Sequence, residues 1–257
     1  MDLKEVNEVI TAYLRPGAYP VAVRMCASES EIPEKVRRPK RDLGIQVTVC
    51  QVLSMARRYG WAVAISGEDQ QCPHGAVALG FVKPKPAYLD GSFATPTANR
   101  EAVAKTLQAM PKLEFGKYRY MLAAPLHTAS FEPQLIVIYA NPAQVARLIQ
   151  SSLHDRGGGL TSTTLGGYAC SSIISQALLT DECQFVVAGA GDRYFALTQD
   201  HEMTFTMPVS KVEMTMKTLK ESHDSGRWRY PTPSYLRFQA ELPPRFYQIM
   251  DYLKQGE

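Results

Sequence analysis

The sequence has no apolar run near the roughly 18 residues that a bilayer-spanning helix requires, no low-complexity tract and no repeat of fixed period. It has little excess charge. Lys and Arg number 28 against 25 Asp and Glu, and the net +3 at pH 7 is too small to argue for nucleic acid. The opening Met1-Asp2-Leu3-Lys4-Glu5 is charged where a secretion signal is apolar, so the chain is expected to start at Met1 and to be cytoplasmic. Neither membrane nor nucleic acid is an expected partner. G-x-S-x-G, H-E-x-x-H, a P-loop and a G-x-G-x-x-G in proper context are all missing, which removes the common hydrolase, zincin and nucleotide-binding signatures. Short C-x-x-C pairs are missing too, although there are five cysteines. An odd number of cysteines without a secretion signal points to free thiols, metal ligands or a nucleophile rather than a disulfide framework.

The 257 residues, 45% hydrophobic and 21% charged, suffice for a sizeable core. Asp2 to Leu14 carries Leu3, Val6, Val9, Ile10 and Tyr13 at helical spacing, with Asp2 as cap and Pro16-Gly17 as stop. Gln46 to Tyr59 predicts a helix closed by Gly60. Asn141-Pro142 opens another that runs to about His154. Further helices are expected over 97–110, 168–179, 209–222 and 244–254. Strands are expected over 19–25, 61–65, 118–126, 134–140, 184–188, 194–198 and 203–206. Gln134 to Ala140 is nearly unbroken apolar, as a strand covered on two faces would be. The basic run Lys35 to Arg41 has no interleaved aromatics and reads as a solvated loop. Interleaved helices and strands without a linker predict one α/β domain of mixed α+β type, residues 1–257, with a mixed sheet flanked by helices. In this reading residues 209–257 form a C-terminal helical extension.

Three cysteines sit where helices begin. Cys50 lies near a helix N-terminus, Cys72 opens a loop-to-helix turn with Pro73-His74-Gly75, and Cys170 follows Gly166-Gly167. Free amides and the positive dipole end at such positions favour thiolate. Three thiolates from separate segments could hold a soft metal or an iron–sulfur cluster. Wide spacing by itself favours small buried hydrophobes, and Cys26 and Cys183, in or beside strands, are assigned to packing. Gly166 and Gly167 would let backbone approach a bulky ligand. Gly189-Ala190-Gly191-Asp192-Arg193 reads as a tight turn between strands, with Arg193 suited to a carboxylate or phosphate. The alternative is an ordinary turn in which Asp192 and Arg193 are satisfied by neighbours. Of five histidines, only His74 is near enough to a cysteine in sequence to be considered as a ligand or acid–base group.

An ordered set of short segments adds to this reading. Pro20-Val21-Ala22-Val23, Cys50 with Ala56 and Gly60, Cys72 with Gly75 and Leu79-Gly80, and Ala123-Ala124-Pro125-Leu126 come first. Pro133 to Pro142, Gly167 to Ser171, Gly191-Asp192-Arg193 and Glu202-Met203 to Pro208 complete the set. Together they resemble the prokaryotic family called domain of unknown function 169, or ArCR, over about residues 3–208. The later segment with Trp228 and Pro231-Thr232-Pro233 lies outside these motifs. The resemblance implies that Cys50, Cys72 and Cys170 occupy family cysteine positions and are metal ligands. The resulting expectation is a three-cysteine [4Fe–4S] site, with Gly166, Gly167 and Arg193 around the cofactor. The fourth iron position is left open or closed by water, substrate or His74. The role is that of a redox protein, an accessory subunit or a lyase-like enzyme of anaerobic metabolism. Two alternatives stand beside it: a non-enzymatic module binding a small anionic ligand, and a thiol-based redox protein using Cys170. A protein partner or self-association is compatible with each; whether the chain is an enzyme stays open.

Overall fold

In the computed structural model, residues 1–226, 229–231 and 239–255 are described. Trp228, Thr232 and Pro233 lie outside the described residues. Six strands form one sheet: β1 (Val21–Cys26), β2 (Val63–Ser66), β3 (Tyr120–Pro125), β4 (Leu135–Ala140), β5 (Gln184–Val187) and β6 (Met203–Pro208). Their order is β2-β3-β1-β4-β6-β5. The fold is mixed α+β as expected. Every ladder between these strands is antiparallel, and parallel pairing enters only through the isolated bridges Arg37–Val63 and Val47–Gln70.

The helices are α1 (Leu3–Tyr13), α2 (Val49–Tyr59), α3 (Pro73–Ala78), α4 (Pro86–Leu89), α5 (Arg100–Ala109), α6 (Pro142–Leu153), α7 (Ala177–Thr180), α8 (Ala190–Phe195), α9 (Val212–Asp224) and α10 (Pro244–Lys254). Two wider, π-type segments, Pro39–Leu43 and Ser171–Gln176, and three short 3-10 turns, Glu29–Glu31, Leu126–Thr128 and Val209–Lys211, also occur among the described residues. The period-2 alternation of each strand feeds two cores. Ala22, Ile136, Ile138, Phe205 and Met207 pack under α1, α6 and α9 through Ile10, Leu148, Val212 and Leu219. Val21, Val23, Leu135, Val137 and Tyr139 face α2 and the second π segment through Val52, Leu53, Ile173 and Ile174. Helical cover on both faces explains why all six residues of β4 are buried and why this antiparallel strand reads as an unbroken apolar run. The helix after Pro208, α9, packs into the first core, and every residue of α10 is exposed. No described helix is long and apolar enough to cross a membrane.

Two expectations need correction. Residues 194–198, read as a strand from Tyr194 and Phe195, instead continue α8 and then turn. Gly189 starts this helix from extended backbone (φ −80°, ψ 178°), and Leu197 ends the turn in left-handed space (φ 55°). The sequence 189–193 is therefore a helix start, not a turn between two strands. The run Lys35 to Arg41 is not a simple solvated loop. Val36 and Pro39 are buried, Arg37 lies over the Trp61 ring at 4.3 Å, and Arg38 lies over the Tyr120 ring at 4.7 Å. The aromatics absent from the run itself come from distant segments, and the long basic stems cover them.

Candidate functional site: a cysteine-lined cavity

Cys50, Cys72 and Cys170 line one cavity of about 370 Å³ on the α2 side of the sheet. All three are half-buried, whereas Cys26 and Cys183 are fully buried among core side chains. Each site cysteine is placed by local chain chemistry. Thr48 caps α2: its Oγ1 accepts from Gln51 N at 3.2 Å, and Gln51 Oε1 accepts from Thr48 N at 2.8 Å. That box leaves Cys50 in the first turn, with its Sγ 3.0 Å from Thr48 Oγ1. Cys72 is the residue before α3, and Pro73 occupies the first helical position. Gly75 lets α3 approach α2, since a Cβ there would stand 2.9 Å from Val49 Cγ2. Cys170 comes directly before the π segment Ser171–Gln176, a widening of the kind common at functional sites.

The fourth wall is α8. A Cβ on Gly191 would stand 3.9 Å from Cys50 Sγ, so this turn of backbone lies against the sulfur. Asp192, the next residue, also lines the cavity; it is 3% exposed and its Oδ1 has no hydrogen-bond partner. Burial pushes its carboxyl up to about 6, against the pull of the Gly189 amide, the Arg57 guanidinium and the Tyr139 hydroxyl. Burial likewise raises Cys50 to about 11, with the Asp192 charge adding to it. Cys170 is raised well above a normal thiol by burial, then by Cys50 and Asp192. The cavity thus holds several latent negative charges, and no Lys or Arg is among its described lining residues.

Other expected residues fall in different places. Gly167 lines the cavity, and a Cβ there would meet nothing within 4 Å. Gly166 does not line it; its carbonyl packs near Gly189, where a Cβ would come within 3.2 Å. Arg193 is also outside the lining, with Nη1 donating to Gln199 O at 2.9 Å and to Asp200 Oδ1 at 3.3 Å. His74 is in the wall, but Nδ1 is 2.8 Å from the Tyr88 hydroxyl and the ring meets Tyr168 edge-on at 4.6 Å. Burial lowers its pKa.

Behind the cavity lies a buried ionic knot that sequence reading missed. Arg57 Nη1 donates to Glu202 Oε1 and Oε2 at 3.0 and 3.2 Å, and Nη2 donates to Ala196 O and Thr198 Oγ1, both at 3.1 Å. Its guanidinium lies 3.9 Å from the Tyr139 ring centre. Arg58 adds a 2.8 Å contact to Glu202. This knot fastens α2, which carries Cys50, to the chain leaving α8, which carries Asp192. The signal was present, because Val49, Val52, Leu53, Ala56 and Arg57 share one helical stripe at i, i+3, i+4, i+7 and i+8. Asp192 was hidden by the reading of its segment as a turn.

Fold and site define an α+β protein with a half-buried cavity lined by three cysteines and an aspartate. The chain belongs to the family of domain of unknown function 169, described as uncharacterised ArCR, whose model matches residues 9–218. No curated protein and no solved structure matches the chain.

Proposed function

We propose that the protein binds an iron–sulfur cluster, [4Fe–4S] in type, through Cys50, Cys72 and Cys170, and serves as a redox or accessory protein. The observation that carries this reading is the convergence of these three half-buried thiols, from three separate segments, on one cavity. Among the described residues, no group of three or more His, Cys, Asp or Glu is gathered as a site for a single metal ion. A tetrahedral ion with ligand bonds near 2.3 Å needs its sulfurs within about 4 Å of each other. A cluster gives each thiolate its own iron and takes donors spread around a wider space. Admission of one water needs only about 10–15 Å³, so this cavity has room for a multi-atom group.

The donor chemistry fits. Thiolates are the usual ligands of such clusters. Burial holds Cys50 and Cys170 as thiols in the metal-free protein, and a bound cation reverses that preference. A bound cluster would supply one-electron transfer, or an open iron able to bind a small ligand. The chain's own part is to hold the thiols and fix the cavity's walls. The anion-module reading finds less support, because Arg193 is engaged by Gln199 and Asp200 away from the cavity. A nucleophilic Cys170 also finds less, because burial disfavours its thiolate.

The test is anaerobic purification, or reconstitution with ferrous iron and sulfide, followed by iron and acid-labile sulfide analysis. Iron and sulfide in equal amounts, with a broad visible absorption lost in the triple Cys50, Cys72 and Cys170→Ser variant, is the expected result. A colourless chain without iron overturns the proposal.

A further inference from the structure

A cluster held by three cysteines leaves one iron without a protein ligand. We infer that Asp192 is that ligand, its carboxylate taking the iron that the three thiols would leave open. The inference rests on the cluster reading and takes it one residue further.

Four observations converge on Asp192. It stands on α8, whose Gly191 backbone is against Cys50 Sγ. It lines the same cavity as the three cysteines and is 3% exposed. Its Oδ1 has no hydrogen-bond partner, a costly state for a buried carboxylate oxygen unless something else satisfies it. Finally, the neighbouring cation, Arg57, is committed to Glu202, Ala196 O and Thr198. Asp192 thus makes no salt bridge of its own; the Gly189 amide, the Arg57 charge and the Tyr139 hydroxyl act on its carboxyl and leave Oδ1 without a hydrogen-bond partner.

His74 is the rival. Its Nδ1 faces the Tyr88 hydroxyl, and Tyr168 packs against its ring, so rotation toward the thiols would break both contacts. Asp192 needs no such exchange to receive a cation. Iron accepts carboxylate as well as thiolate donors, and an oxygen ligand at one corner makes that iron the most easily lost.

Wild type, Asp192→Asn, Asp192→Cys and His74→Asn are to be reconstituted anaerobically with ferrous iron and sulfide. Iron and labile sulfide per chain are then measured, with electron paramagnetic resonance spectra after reduction and after mild ferricyanide oxidation. Circular dichroism of the metal-free chains checks the fold. The expected result is that Asp192→Asn falls from about four irons toward about three and gives a three-iron signal at a ferricyanide dose that leaves wild type intact, ferricyanide taking one electron as ferrous iron departs. Asp192→Cys keeps the full cluster, resists ferricyanide better than wild type and has a changed reduced spectrum. His74→Asn matches wild type. An Asp192→Asn chain with wild-type iron content and spectra overturns the assignment, as does a three-iron signal confined to His74→Asn. Wild type without iron overturns the cluster reading itself, a distinct outcome.

Discussion

At the residue scale, the cysteines divide by what surrounds them. Cys26 and Cys183 fill core space, while Cys50 and Cys170 share a cavity in which ionisation is opposed first by burial and then by the Asp192 charge. A thiol pushed from 9.0 to about 11 has roughly a hundredfold less thiolate at neutral pH. In the metal-free native protein, alkylation of Cys50 by iodoacetamide is therefore expected to run far below that of a free cysteine at pH 7.5. Its rate should keep climbing to about pH 11, where an ordinary thiol has already levelled off. Cys170 should resist at least as strongly. Timed labelling read by peptide mass spectrometry checks both, and labelling of Cys170 at the free-thiol rate would restore the thiol-redox reading. Iron bound to the thiolates should block labelling altogether until a chelator is added.

At the element scale, the cavity depends on how closely α3 approaches α2. A methyl at Gly75 would meet Val49 Cγ2 at 2.9 Å, and Val49 is a stiff side chain immediately before Cys50. Gly75→Ala is expected to cost about 1–3 kcal/mol of stability and to weaken iron retention by pushing the Cys72 end away. Combining it with Val49→Ala should cost less than the two changes added together, by a coupling of about 0.5–3 kcal/mol in urea denaturation. The π-type turn Pro39–Leu43 offers a pH test. Arg41 Nε and the Arg38 amide donate to the Asp42 carboxylate and hold its pKa down to about 2. A lowered folded-state pKa means that the contribution is present above the unfolded value, 3.8, and disappears as pH falls through about 2. The stability difference between wild type and Asp42→Asn should be constant from pH 5 to 8 and shrink below pH 4.

Much of this scale was legible in the sequence. Helix α1 has its Asp2 cap, with Lys4 N donating to the carboxylate at 2.8 Å, and Gly60 closes α2 in left-handed backbone (φ 71°). Asn141-Pro142 starts α6 with a complete capping box. These signals lie within a few residues of the feature they specify. What escaped depends on distant partners. The rings under Arg37 and Arg38 come from Trp61 and Tyr120. The six-residue α8 is too short for helical periodicity to show, so its two aromatics read as strand. The site followed the same rule: three cysteines stood out by context, whereas Asp192 and Arg57 acquired meaning only through packing.

At the scale of the whole molecule, Arg57 joins regions far apart in sequence. It leaves α2, crosses the Tyr139 ring of central strand β4, and ends on Ala196, Thr198 and Glu202 between α8 and β6. Its side chain is fully buried, so Arg57→Met would strand a buried Glu202 with only Arg58 as cation, at a cost of about 3–5 kcal/mol. Replacing both members, Arg57→Met with Glu202→Leu, removes the unpaired charge and should recover much of that loss in urea denaturation. Iron retention is expected to behave differently. In the double variant Ala196 O and Thr198 Oγ1 still lack their Arg57 donor, so the end of α8 is no longer tied to α2. The cluster proposal then predicts that both variants release iron to a chelator faster than wild type. Recovery of stability without recovery of iron retention would separate the knot's positioning of the cavity from its part in the fold. Full recovery of both would reduce Arg57 to a structural ion pair.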